Sequence, residues 1–464
     1  MRATYRIATL RVLCVGLFLA ISSLASPPQA AAGTWAVGEE GAQTSPRSAA
    51  GAKVDLVVWT DTRRGQSDIY GTRLAVNGTV LDPGGIPLVV DPGNQTVVSV
   101  GWTGSWFLLF YQDGTTYKAV RVGENGSRLD TTPTVVTGFA PWELLSSQLP
   151  FGGGVFLVTT SSHADSNGVY RDTYVHRLSP TGAALDAGPI DLQHAANFQS
   201  KGVAAWDGTE FMVAWGDNSQ ESSGDTSNIR AARVKPDGTD LDPGGFSVSS
   251  ASGGQWEPSI AWNGSSFLVT WEDRRNGLPD ELGAALVGID ASVSPKDGFI
   301  LSATAPWPNL LTWTGDGYVG FWSDSSTPAV HMGSIHINAL TTAVDVTTSL
   351  GARGGAWTVL PLAIGPLLVW TTEPPYGSQD ASADVRGEVL NDSGAPLPSP
   401  KQYVISSALA YPEAVRLYAP LLVFFRDEEY WPDSPDNFIA NSALDWNHDA
   451  GCKATVAAQR GTPT

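Results

Sequence analysis

The chain is 464 residues long and carries 46 acidic against 27 basic side chains, a formal net charge of −19. An acidic excess of this size repels nucleic acid and anionic lipid, so neither is an expected partner. Two cysteines in the whole length rule out a disulfide framework and a cysteine-built metal cluster, which leaves packing to hold the fold.

Residues 1–32 read as a secretory signal peptide. Arg2, Arg6 and Arg11 form a basic start, Val12 to Ala20 a short apolar core, and small residues follow at Ala30 and Ala31. Cleavage would remove three Arg and leave 24 basic against 46 acidic residues, a net charge near −22. No later run reaches the roughly 18 apolar residues of a membrane span. The expectation is an exported, secreted protein with no transmembrane segment, a monomer, organised as a repeat domain over 33–450 and a flexible tail over 451–464.

Self-similarity dominates the rest of the chain. Apolar cores like Phe267-Leu268-Val269-Thr270-Trp271 end at Trp59, Tyr111, Thr160, Trp215, Trp271, Trp322, Trp370 and Phe425. The intervals are 52, 49, 55, 56, 51, 48 and 55 residues, which makes eight units. Nine residues before the core's end stand Trp102, Trp206, Trp262 and Trp313, each opening a turn such as Asn263-Gly264. Downstream, Arg73, Arg121, Arg177 and Arg233 are each followed by Gly at +5, Leu at +8 and Asp at +9.

Each unit holds four short strands. In the fifth they are Pro258–Trp262, Phe267–Trp271, Asp280–Leu286 and Gly298–Ser302, rich in Val, Ile, Trp and Phe and bounded by Gly, Asn, Asp and Pro. The second strand is apolar on both faces, as a strand sandwiched between neighbouring sheets requires. The predicted fold is therefore all-β, a single β-propeller of about eight four-stranded blades, with seven as the alternative. The first unit already owns a first strand at Pro46 to Ala50, and the last stops near Phe438–Leu444. The surplus Thr34–Val37 strand is expected to complete the last blade and close the ring.

The run from Val58 to Gly65, Val-Trp-Thr-Asp-Thr-Arg-Arg-Gly, with Asp68-Ile69-Tyr70-Gly71-Thr72-Arg73 after it, resembles a repeat of secreted bacterial β-propeller-like proteins. Trp271-Glu272-Asp273-Arg274, with Asp280 and Gly283, is a second copy. The resemblance spans roughly 34–445, and units three, six, seven and eight depart from it: Thr160 replaces the aromatic, and Ile335 stands where Arg is expected. It implies an architecture and an exported location, and no reaction.

Catalytic signatures are absent, and His331 and His336, five apart, fall on opposite faces of a strand. The acids after strand two (Asp61, Asp113, Asp217, Asp273, Asp324 and Asp427) recur in most units, which marks them as turn caps or partners of a cation within the blade. The same holds for Asp82, Asp130, Asp186 and Asp242. No cofactor is expected, and Ca²⁺ stays open.

One face stands out. The loop from the post-strand Asp to strand three takes 7, 3, 11 and 7 residues in units one, two, four and five, while the other connections keep their length. Length variation confined to one side of a repeat array marks its binding side. The candidate binding residues there, or in the segments between blades, are Asp165, Glu221, Trp256, Trp307, Tyr376, Tyr430 and Trp431. They mix acids with aromatics, which suits a glycan, a cell-wall component or a protein partner. A polysaccharide lyase or glycosidase using Asp165, Asp225, Glu373 or Glu428 is the enzymatic alternative, and a structural surface protein with no small ligand a third.

Overall fold

The computed structural model describes residues 42–345, except 141–142, 162–171, 194–198, 201, 219–226, 278–279, 304–309, 316, 324–329 and 337–338. It also describes 354–362, 365–372, 385–390, 402–406, 439–442 and 456–459. The signal peptide and the expected closing strand Thr34–Val37 lie outside these residues.

Six four-stranded antiparallel sheets and one five-stranded sheet follow one another along the chain, each ordered first to fourth strand without crossover. They form seven blades: 43–89, 95–136, 144–193, 203–249, 255–302, 310–345 and 354–406. The fifth strand of blade 3 is Leu144–Leu145, which pairs with the upper end of Val155–Ser161. First strands lie beside first strands of the neighbouring blades, so they surround the axis. The architecture is the expected β-propeller.

The blade count settles on the smaller of the two numbers expected. Blade 7 supplies its own fourth strand, Gln402–Ser406, and blade 1 packs directly against it. Trp59, Val57 and Leu74 of blade 1 share one buried cluster with Leu362, Val369 and Val385 of blade 7. The Ser48 and Thr358 hydroxyls meet at 2.7 Å, and the Val385 amide donates to the Gln43 side chain at 3.3 Å. No gap is left in that seam for an eighth sheet. The eighth apolar core, ending at Phe425, lies outside the described residues. Among the described residues, Ile439–Ser442 pairs with Val456–Gln459, a strand within the stretch read as a tail.

The second strand of each blade is its core because it is covered on both sides. In Val54–Asp61 every residue after the first is buried, and the same is true throughout Phe211–Asp217. Trp59, Trp215, Trp271, Trp322 and Trp370 are fully enclosed, with Tyr111 in the equivalent place in blade 2. Gly85, Gly245 and Gly298 have φ of 79°, 71° and 69° and pass directly over the rings of Trp59, Trp215 and Trp271. A Cβ at these positions would enter the indole, so glycine is required for both backbone and space. Trp102, Trp206 and Trp262 end first strands and pack on Phe107, Phe211 and Phe267 at 4.6–4.7 Å.

The recurrent Arg and Asp nine residues apart form forked ion pairs. Arg73 meets Asp82, and Arg233 meets Asp242, through two nitrogens at 2.8 Å each; Arg121–Asp130 and Arg177–Asp186 repeat the arrangement. Each fork also tethers the following blade. Nη1 of Arg73, Arg177 and Arg233 donates to the carbonyls of Glu124, Pro236 and Ile289, at 3.3, 2.7 and 3.0 Å. In blade 2 the reach is relayed: Arg121 lies over the Trp106 ring, whose Nε1 donates to the Pro180 carbonyl of blade 3 at 2.9 Å.

Candidate functional site

The post-strand acids lie at the rim of the face that carries the variable loops. Asp61, Asp217 and Asp273 are wholly buried, and their first partner, which recurrence did not point to, is a glutamine at or just before the start of the first strand. Gln43 stands across from Asp61, Gln95 from Asp113 and Gln255 from Asp273, and Gln199 bridges to Asp217. The Gln43 amide donates to Asp61 at 3.1 Å. Trp59 and Trp271 donate through Nε1 to Asp61 and Asp273 at 2.9 and 2.6 Å.

A cation completes each set from one of two places. In blades 1 and 5, Arg63 and Arg275, two residues on, fork onto the carboxylate. In blades 2 and 4 the charge comes from the third strand: Lys118 reaches Asp113 at 2.6 Å, and Arg230 reaches Asp217 at 3.7 Å. The residue facing Trp271 on the third strand is Gly283, where a Cβ would press on the Trp271 indole and the Asp273 carboxylate. These acids are therefore consumed in holding the blade, as their recurrence led one to expect. Asp324 and Asp427 lie outside the described residues.

With that shared scaffold subtracted, blade 5 differs. Where blade 1 has Thr44, Thr60, Thr62 and Ser67, the register of blade 5 puts Trp256, Glu272, Arg274 and Asp280. Trp256 and Glu272 are cross-strand partners, so they share a face of the sheet. The first strand bulges between Trp256 and Ser259, with Glu257 at φ 44°, a left-handed conformation costly for a residue other than glycine; blade 1 has the same bulge, with Ser45 at φ 54°. Glu257 is exposed beside it, on a strand lining the axis.

Arg274 organises this cluster. Its Nε and Nη2 fork onto Asp280, Nη2 lies 3.8 Å from Glu272, and its guanidinium sits 4.7 Å from the centre of the Trp256 ring. The other end of the indole runs over Gly254, where a Cβ would fall inside its six-membered ring. Burial pushes the Glu272 carboxyl up to about 8, helped by its hydrogen bond to Asp280 and that group's charge. Asp280 is held below the usual carboxylate range, chiefly by its bond to Arg274. The pair therefore holds one proton near neutral pH, on Glu272. The site presents carboxyl oxygens as acceptors and a guanidinium as donor side by side, the pair's one proton being engaged between Glu272 and Asp280, with Arg274 36% exposed.

Of the sequence candidates, Trp256 belongs to this cluster, and as the plate under Arg274 rather than an open ring. Asp165, Glu221, Trp307, Tyr376, Tyr430 and Trp431 lie outside the described residues, as do Asp225, Glu373 and Glu428. Glu272, Arg274 and Asp280 escaped notice as a site. The signal that finds them is the comparison of blade 5 with blade 1, in which hydroxyl residues become charged ones on an otherwise matching framework. Among the described residues no three His, Cys, Asp or Glu side chains converge as metal ligands, and no helix is long and apolar enough to cross a membrane.

No family model matches the chain, and no curated protein matches it. Among solved structures it is similar to a puromycin hydrolase, at 12% identity and a TM-score of 0.48 over 88% of this chain and 61% of that one. It is also similar to oligogalacturonate lyase from Vibrio parahaemolyticus, at 8% and 0.46 over 77% and 100%. A third is prolyl oligopeptidase B from Galerina marginata, at 10% and 0.45 over 80% and 50%, so the chain spans about half the length of that enzyme. The architecture of this chain rests on its own sheet order and seams.

Proposed function

We propose that this propeller is an exported binding protein, of the repeat type its Trp-x-Asp-x-Arg units resemble, and that it takes a polyhydroxylated ligand such as a glycan at the blade 5 cluster. The observation that carries the reading is the replacement of Thr44, Thr60, Thr62 and Ser67 by Trp256, Glu272, Arg274 and Asp280 on a matching scaffold. Carboxyl acceptor oxygens beside a fixed guanidinium donor match the hydroxyls of a sugar, and their mutual bonds hold them in place before the ligand arrives.

The enzymatic alternative draws on the same pair, one carboxyl protonated and its neighbour ionised. Its geometry speaks against glycoside hydrolysis. Glu272 and Asp280 are directly hydrogen-bonded, whereas retaining and inverting glycosidases separate their carboxyls by about 5 Å or more to admit the sugar or a water.

The test is to return blade 5 to the residues of blade 1: Trp256→Thr, Glu272→Thr and Arg274→Thr together. Binding on a glycan array is expected to fall at least tenfold while the melting curve keeps its single transition. Unchanged binding by the triple variant overturns the assignment. Release of new reducing ends or unsaturated products by the wild-type chain, lost in the variant, establishes the enzyme instead.

A further inference from the structure

Blade 3 is the blade without an enclosed aromatic, and something else fills the space. Thr160 occupies the position of Trp59, Tyr111, Trp215 and Trp271, and the Glu143 carboxylate lies beside it. Glu143 belongs to the connection arriving from blade 2, on the same side as the variable loops. Its Oε2 lies 2.6 Å from Nε2 of His176, and the two side chains are 2% and 5% exposed. Two strand positions below Tyr174, His176 stands where blades 1, 2, 4 and 5 have Thr72, Val120, Ala232 and Ala285; blade 6 has Gly333 there and blade 7 Glu388. This imidazole and carboxylate are peculiar to blade 3.

The pair is the side-chain tie of this connection, and backbone bonds, such as the Ser146 amide to the Thr159 carbonyl at 2.9 Å, hold its blade 3 end. Phe139 stacks on the His176 ring at 3.9 Å and 18°, and also touches Phe110 and Tyr117 of blade 2 at 5.6 and 5.4 Å. The Ala140 amide donates to Glu143 at 2.9 Å. Leu144 and Leu145 then pair with Ser161 and Thr160. Among the described residues, the ionisable groups around the carboxylate are His176 and, across the blade seam, the Tyr117 phenol.

We propose that the connection between blades 2 and 3 is an acid-released strap, tied to blade 3 by the Glu143–His176 pair. Burial pushes the Glu143 carboxyl up, but the His176 bond, the Ala140 amide and the imidazole charge together bring it below its ordinary 4.5. A carboxylate with a lowered folded value contributes stability above the unfolded value, and that contribution disappears as pH falls through the folded one. Once Glu143 is protonated, its buried bond to the His176 ring loses the carboxylate charge that strengthened it. With that tie weakened, the two-residue strand Leu144–Leu145 at the edge of blade 3 is the part of the sheet that can let go while its four main strands stay paired.

Hydrogen exchange on the full chain, at pH 7 and pH 3.5 with labelling times corrected for intrinsic rates, tests this. Protection over residues 143–146 should fall at least tenfold at pH 3.5, while Phe267–Asp273 in blade 5 keeps its protection. Glu143→Gln, which preserves the shape and cannot titrate, should erase that pH step. A wild-type NMR titration in which the His176 imidazole signals move with the same midpoint keeps the test open should the variant not fold. The proposal fails if strap protection is the same at both pH values, if it falls only together with blade 5, or if the Gln variant or the imidazole behaves as though Glu143 did not matter.

Discussion

Arg177 in blade 3 and Pro236 in blade 4 are 59 residues apart, yet the guanidinium of the first donates to the carbonyl of the second at 2.7 Å while gripping Asp186 in its own sheet. Truncating Arg177 to Met therefore unties a blade and a seam together. Charge-assisted bonds at a partly buried site predict a loss of about 2–3 kcal/mol in a denaturant titration. Lys in its place should recover less than half, because an ammonium cannot fork onto Asp186 and reach Pro236 at once.

The buried post-strand acids should separate by the source of their cation. Asp273→Asn leaves the Arg275 guanidinium enclosed without its counter-charge, and a cost of about 3–5 kcal/mol is expected. Asp113→Asn should cost only about 1 kcal/mol, because Lys118 is 27% exposed and can turn to water. Equal losses in the two variants would show that the amide, not the charge, holds the rim.

Gly283→Ala is a small change with a large expected effect. Its methyl would come within 2.7 Å of the Asp273 carboxylate and press on the Trp271 indole, both of which are wholly buried. Overpacking there should cost about 2 kcal/mol, read as a lower denaturation midpoint with an unchanged slope.

The pH dependence of stability should carry the mark of Glu272. Its folded value is raised to about 8, so its contribution is complete below the unfolded value of 4.5 and is lost as pH rises through about 8. Melting temperature should therefore decline on the alkaline side in the wild type, and Glu272→Gln should flatten that limb. Ligand binding at the cluster should weaken over the same interval, since losing the shared proton sets two like charges side by side and disturbs the Arg274 fork.

Much of this architecture was legible in the sequence. The core Phe267–Trp271 reappears as the strand Phe267–Asp273, and Trp262 ends its first strand as placed. Asn77, Asn125 and Asn263 accept from the amide two residues on, as hairpin turns should. The number of blades was harder to read, because an apolar core can be counted in sequence but its place in the ring depends on whether a seam is open. Trp59 against Val369 and Val385 closes that seam before an eighth sheet enters. The blade 5 site was hidden for a different reason. Recurrence picks out what every blade shares, so it points to Asp273 and passes over Glu272 and Arg274, which matter by being different. Glu143 and His176, 33 residues apart, meet only because Thr160 leaves room for them.

The tethers that run from Arg73, Arg177 and Arg233 end on main-chain carbonyls two residues past the third strand of the next blade. Every residue type provides that acceptor, so blades 1, 3 and 4 each carry a hook that finds its eye in the backbone of the blade that follows. Neighbours need no matched side chains to stay joined at the rim, and one blade can diverge, as the fifth has done, without any compensating change in the fourth or sixth. A blade copied in tandem would arrive already fitted to both of its new neighbours, and the ring could gain members by duplication alone.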